Sequence, residues 1–130
     1  MSEFNFKSQI CTSLEQSERL LELGLKKETA DMVYTYEREE HGDNYYWNLE
    51  VLEGPWDSFI WPSTCTYIPA WSLHRLIEMI PEYFADTKLE FRIEAIKWLM
   101  QREGNIYDNL VILITDCIKH DIFNKEYLEE

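Results

Sequence analysis

The apolar positions along the chain change period several times, and each change marks an element. Leu14, Leu21 and Leu25 fall on one helical face with Leu20 beside them, and Gly24 supplies a left-handed stop. Thr12-Ser13-Leu14-Glu15 has the form of a capping box, so the spacing predicts a helix over 13–23 with Thr12 as its N-cap. Residues 26–31 are long enough only for a connecting turn. From Met32 the period falls to two. Met32, Tyr34 and Tyr36 share one face, as do Tyr45, Trp47, Leu49 and Val51, and His41-Gly42-Asp43-Asn44 between them is turn chemistry. Two antiparallel strands are predicted. A pair cannot stand alone, so other elements must cover its apolar face.

The stretch 54–69 has no clean period and holds three of the four prolines. It reads as a long ordered loop, with Trp56 and Trp61 first as anchors and second as contacts for a partner. Ser72 caps a second helix in which Leu73, Leu76, Ile77 and Ile80 make one face; Trp71 can staple onto Leu76, and Pro81 ends the run. Residues 88–103 fit two templates. Leu89, Phe91, Ile93 and Ala95 alternate as a strand does, while Leu89, Ile93, Ile96 and Met100 make a helical stripe. A last helix is expected from Asp108 as cap through Leu110, Ile114, Cys117 and Ile118. Val111–Thr115 alone has the β-branched content of a strand, but the longer period favours helix. The acidic tail, about 124–130, is expected to fray.

Together these elements predict one α+β domain over residues 1–130: a small antiparallel sheet packed with about three helices. The 45% hydrophobic and 15% aromatic content supports a core and excludes wholesale disorder. Twenty-five acidic against 12 basic side chains give a net charge of −13. That charge argues against direct nucleic-acid binding by phosphate neutralisation and against docking on anionic lipid. The longest apolar run, Leu110 to Ile114, is far short of the roughly 20 residues needed to span a bilayer. Met1–Lys7 lacks a basic segment followed by an apolar run, so a cytoplasmic location is expected. Cys11, Cys65 and Cys117 are odd in number and without a Cys-x-x-Cys, which reads as reduced, mostly buried thiols.

No catalytic signature emerges. His41, His74 and His120 lie in different elements without metal-ligand spacing, no glycine pattern cradles a phosphate, and Cys65 carries no nucleophile signature. No cofactor or metal is expected. Glu37, Glu39, Glu40 and Asp43 form the densest acidic cluster, at the hairpin tip, but lack the spacing of a calcium loop and read first as a solvated turn. With Trp56 and Trp61 they are the candidate interaction surface.

Two segments carry a resemblance. Ile10–Leu25, continuing through Thr29-Ala30-Asp31-Met32, and Pro69-Ala70-Trp71-Ser72-Leu73-His74-Arg75-Leu76-Ile77-Glu78-Met79-Ile80-Pro81 resemble two hallmarks of a group of small uncharacterised proteins from gut anaerobes and their prophages and mobile elements. The resemblance implies a strand over 88–94 and a helix over 108–119, although the chain is short after Ile93 for a second strand. The group has no established activity and implies no functional residues. The leading expectation is a small acidic, non-enzymatic module that binds a protein partner. That partner is basic if the module works as an inhibitor or immunity-like charge mimic. A homo-oligomer and a small hydrolase or transferase are the alternatives.

Overall fold

Ser13, not Thr12, opens the first helix. In the computed structural model, which describes residues 8–38, 42, 44–56 and 66–129, α1 spans Leu14–Glu22. The Ser13 hydroxyl accepts from the Gln16 N–H at 3.1 Å, and the Gln16 side chain accepts from the Ser13 N–H at 2.9 Å. The box is therefore shifted by one residue, because Thr12 is fully buried and its hydroxyl is used elsewhere. Gly24 ends α1 at φ +102°: the Gly24 N–H donates to Leu21 O and the Leu25 N–H to Leu20 O, the two bonds of a Schellman stop. The connecting turn is a single 3-10 turn, Lys27–Thr29.

The sheet has three antiparallel strands, β1 (Met32–Arg38), β2 (Tyr45–Val51) and β3 (Thr66–Ala70), in the order β2-β1-β3. The predicted hairpin pair is present, with Met32 opposite Val51, Tyr34 opposite Leu49 and Tyr36 opposite Trp47. β3 corrects the reading of 54–69 as loop throughout: Thr66-Tyr67-Ile68 alternates, but Pro69 hides the strand. Pro69 is tolerated because β3 lies at the edge of the sheet.

Among the described residues four helices accompany the sheet: α1, α2 (Leu73–Met79), α3 (Arg92–Gln101) and α4 (Ile106–Lys119). Ser72 caps α2 through the Arg75 N–H, and Pro81 follows the C-cap residue Ile80, as predicted. The strand implied for 88–94 does not form: Glu90 makes only an isolated bridge with Tyr83, and helix begins at Arg92. The helical template holds from Arg92, but on a different face from the predicted stripe: Ala95 and Leu99, four apart, are buried, while Leu89, Ile93 and Met100 stay exposed. Arg92 fixes the start of α3 by donating to Ile80 O at 2.9 Å and Glu78 O at 2.8 Å, carbonyls that the end of α2 leaves unpaired. α4 begins before Asp108: the Asn105 side chain is the cap and accepts from the Tyr107 and Asp108 N–H groups. The segment expected to fray bears backbone pairing. Lys26 N–H donates to Tyr127 O at 2.8 Å, and Glu129 N–H to Gly24 O at 2.7 Å.

The principal core gathers Leu20, Val33, Trp56, Trp71, Leu76, Ile80, Leu99, Leu110 and Ile114. Val33 enters it from the face of β1 opposite to Met32, Tyr34 and Tyr36. The aromatic face has only a small core of its own, in which Cys11, Met32 and Ala70 are buried against Tyr34 and Leu49. A junction at Trp71 ties the parts together. Thr12 Oγ1 accepts from the Trp71 N–H at 3.1 Å and shares a 2.7 Å bond with Ser17 Oγ, while the Thr12 N–H donates to Trp71 O. The Trp71 indole donates to Thr29 Oγ1, and Asp31 accepts from both the backbone and the hydroxyl of Ser72.

Candidate interaction surface

The N-terminal ends of α1 and α4 lie side by side, and an amide network holds them there. Gln16 Nε2 donates to Asp108 Oδ1 at 2.5 Å, Gln9 Nε2 to Gln16 Oε1 at 2.7 Å, and Asn105 Nδ2 to Gln9 Oε1 at 2.9 Å. Gln16, the partner of the α1 cap, is thus also the link between helices. Beside this network runs an open groove of about 740 Å³. Glu15, Glu18 and Glu22 line it from α1 at helical spacing, Asp108 lines it from α4, and Val111 and Ile112 supply apolar surface. Among the described residues Arg19 is the one cation that lines it. All four carboxylates are exposed. Sequence reasoning missed this surface because its acids come from two helices 90 residues apart. The i, i+3, i+7 spacing of Glu15, Glu18 and Glu22 was the available signal.

The predicted surface residues are placed differently. Glu37 is half-buried on β1, and Trp56 is buried in the principal core at 7% exposure, the anchoring role. Glu39, Glu40, Asp43 and Trp61 lie outside the described residues. The aromatic face of the sheet is open toward the hairpin end. Tyr36 stacks on Tyr45 with centroids 5.3 Å apart and meets Trp47 at 4.9 Å, yet the three stay 39%, 55% and 38% exposed.

Titratable chemistry is muted. Cys11 Sγ lies 3.6 Å from Tyr34 Oη, which donates to Thr12 O at 2.8 Å. Burial pushes the Cys11 thiol and the Tyr34 and Tyr107 phenols up, and it pushes Cys117 up to about 11 with help from the Asp116 charge. Both thiols are buried and free, and at neutral pH both keep their protons and are poor nucleophiles. Cys65 and His41 lie outside the described residues. Among the described residues no group of three His, Cys, Asp or Glu could hold a metal ion, and no helix is long and apolar enough to cross a membrane.

No family model matches the chain, and neither a curated protein nor a solved structure matches it.

Proposed function

We propose that this protein is a non-enzymatic interaction module that docks a basic protein partner in the cytoplasm, as an inhibitor or immunity-like mimic of nucleic-acid charge. The groove between α1 and α4 carries this reading. Four exposed carboxylates border an apolar strip, and the two helices that bear them are locked together by side-chain amides. A rigid row of carboxylates presents to a cationic cleft what a phosphate backbone presents, without mobile counterions of its own to order. The net charge of −13 extends the attraction beyond contact and speeds encounter. The resemblance of 10–32 and 69–81 to small proteins of prophages and mobile elements fits such a role.

The test is capture from a host lysate with wild-type protein and the triple variant Glu15→Gln, Glu18→Gln, Glu22→Gln. A stoichiometric basic protein should be held by wild type, lost with the triple variant, and released at about 1 M salt, where the screening length falls to ~3 Å. A partner held equally by the triple variant, or no partner at low salt, would refute the proposal.

A further inference from the structure

The outer edge of β2 carries an inference about a different surface and a different partner. Met32 lies opposite Val51, so Asp31 lies opposite Leu52, and the Leu52 N–H donates to Asp31 O at 3.0 Å. Bonding direction alternates along an antiparallel ladder. The even-numbered residues of β2 therefore bond β1, and Tyr45, Trp47, Leu49 and Val51 direct their N–H and C=O groups outward. Among the described residues no strand lies beyond them. Nor does β2 carry the usual protection of an edge: it has no proline, no lysine and an unbroken register.

We infer that β2 pairs antiparallel with β2 of a second copy about a two-fold axis at Asn48, joining two three-stranded sheets into one. This register is self-complementary. Tyr45 faces Val51 of the second copy, and Trp47 faces Leu49 of the second copy, all through outward-pointing backbone groups. Tyr45 and Val51, 55% and 66% exposed, are thus set against each other on the aromatic face. On the other face Glu50, the only charged residue of β2, meets Tyr46 rather than its own image. The occupant that satisfies backbone, apolar pattern and charge together is this same strand.

The area is modest. An aromatic side chain can bury about 150–250 Å², so the exposed parts of Tyr45, Tyr46, Trp47 and Val51 come to roughly 400 Å² per protomer. Stable interfaces bury about 800 Å² per partner, so even with the strand backbone this one belongs to the small, reversible class. Two copies at −13 repel each other, so added salt strengthens the dimer. Capture of a basic partner in the acidic groove has the opposite salt response, and the two proposals fail separately.

Sedimentation equilibrium tests the inference. Wild type should move from 15.7 kDa toward twice that mass between micromolar and submillimolar concentration, with the midpoint shifted lower at high salt. Val51→Pro removes an outward donor without breaking the β1 ladder and should stay monomeric. Asn48→Lys and Asn48→Asp each place like charges at the axis and should each be monomeric alone, yet pair when mixed in equal amounts. Circular dichroism confirms that each variant is folded. A mass of 15.7 kDa at every concentration and salt, or a dimer that persists in Val51→Pro and both Asn48 variants, would overturn it.

Discussion

Replacing Thr12 by valine keeps the shape of a fully buried side chain and removes only its hydroxyl. By apolar area alone the change should help. The hydrogen bonds say otherwise. Thr12 Oγ1 accepts from the Trp71 N–H at 3.1 Å and bonds Ser17 Oγ at 2.7 Å, and all three residues are fully buried. Valine leaves the Trp71 donor without its acceptor and the Ser17 hydroxyl without its partner. An unsatisfied buried group costs about 1–3 kcal/mol, so Thr12→Val should lose roughly 3 kcal/mol of stability. Thr12→Ser keeps both bonds and loses one buried methyl, worth about 1 kcal/mol. Urea denaturation followed by tryptophan fluorescence gives both values. Serine at 12 should be the more stable by roughly 2 kcal/mol, and combining Thr12→Val with Ser17→Ala should cost less than the sum of the two alone. A Thr12→Val protein as stable as Thr12→Ser would show that the hydroxyl does not tie α1 to the start of α2.

The same substitution on β1 should act in the opposite direction. Thr35 is 7% exposed, and its Oγ1 has no partner among the described residues, so Thr35→Val should raise stability by about 1 kcal/mol in the same denaturation assay. Asp121 ends α4 at φ +58°, in a Schellman arrangement with the Asp121 N–H on Ile118 O and the Ile122 N–H on Cys117 O. Asp121→Gly should therefore raise the melting temperature, with a gain of about 0.5–1 kcal/mol after the entropy of the unfolded chain is set against the relieved strain. Its exposed ion pair with Lys125, at 3.2 Å, contributes little against that gain. Cys117 holds its proton in the folded state up to about 11 against an ordinary value of 9.0. Its contribution is complete below pH 9 and is lost as the pH rises toward 11, because the unfolded chain then binds fewer protons. Denaturation midpoints should fall across that window by about 2 kcal/mol more in wild type than in Cys117→Ala; parallel curves would exclude the effect.

Much of the fold is legible in the residues because local chemistry writes it. Ser72 and Pro81 bracket α2, Gly24 stops α1, and the alternation of Met32–Tyr36 and Tyr45–Val51 sets which residues share a face on β1 and on β2. The errors at Thr12 and Asp108 are of one kind. Each is a good cap by type, but a side chain caps only if nothing else claims it or a better-placed residue does not precede it. Trp71 claims Thr12, and Asn105 reaches the first N–H groups of α4 before Asp108 can. The candidate groove was illegible because it needs α1 and α4 brought together, and the amides of Gln9, Gln16 and Asn105 that do so carry no periodic signal.

The sequence by itself determined the segments that become α1, α2, α4, β1 and β2, the residues that share a face in the hairpin and the strongly acidic net charge. Period, caps and charge are properties of neighbours along the chain. Only the tertiary structure decided which face of the sheet is covered. The aromatic side was the natural candidate for the core, yet the helices gather over Val33, and Tyr36, Tyr45 and Trp47 stay partly in solvent. It likewise settled residues 92–101 as helix and chose the face that packs: Ala95 and Leu99 are buried against the core, while Leu89, Ile93 and Met100 of the predicted stripe face solvent. Both choices turn on apolar area removed from water by residues distant in sequence, a quantity that no local pattern contains.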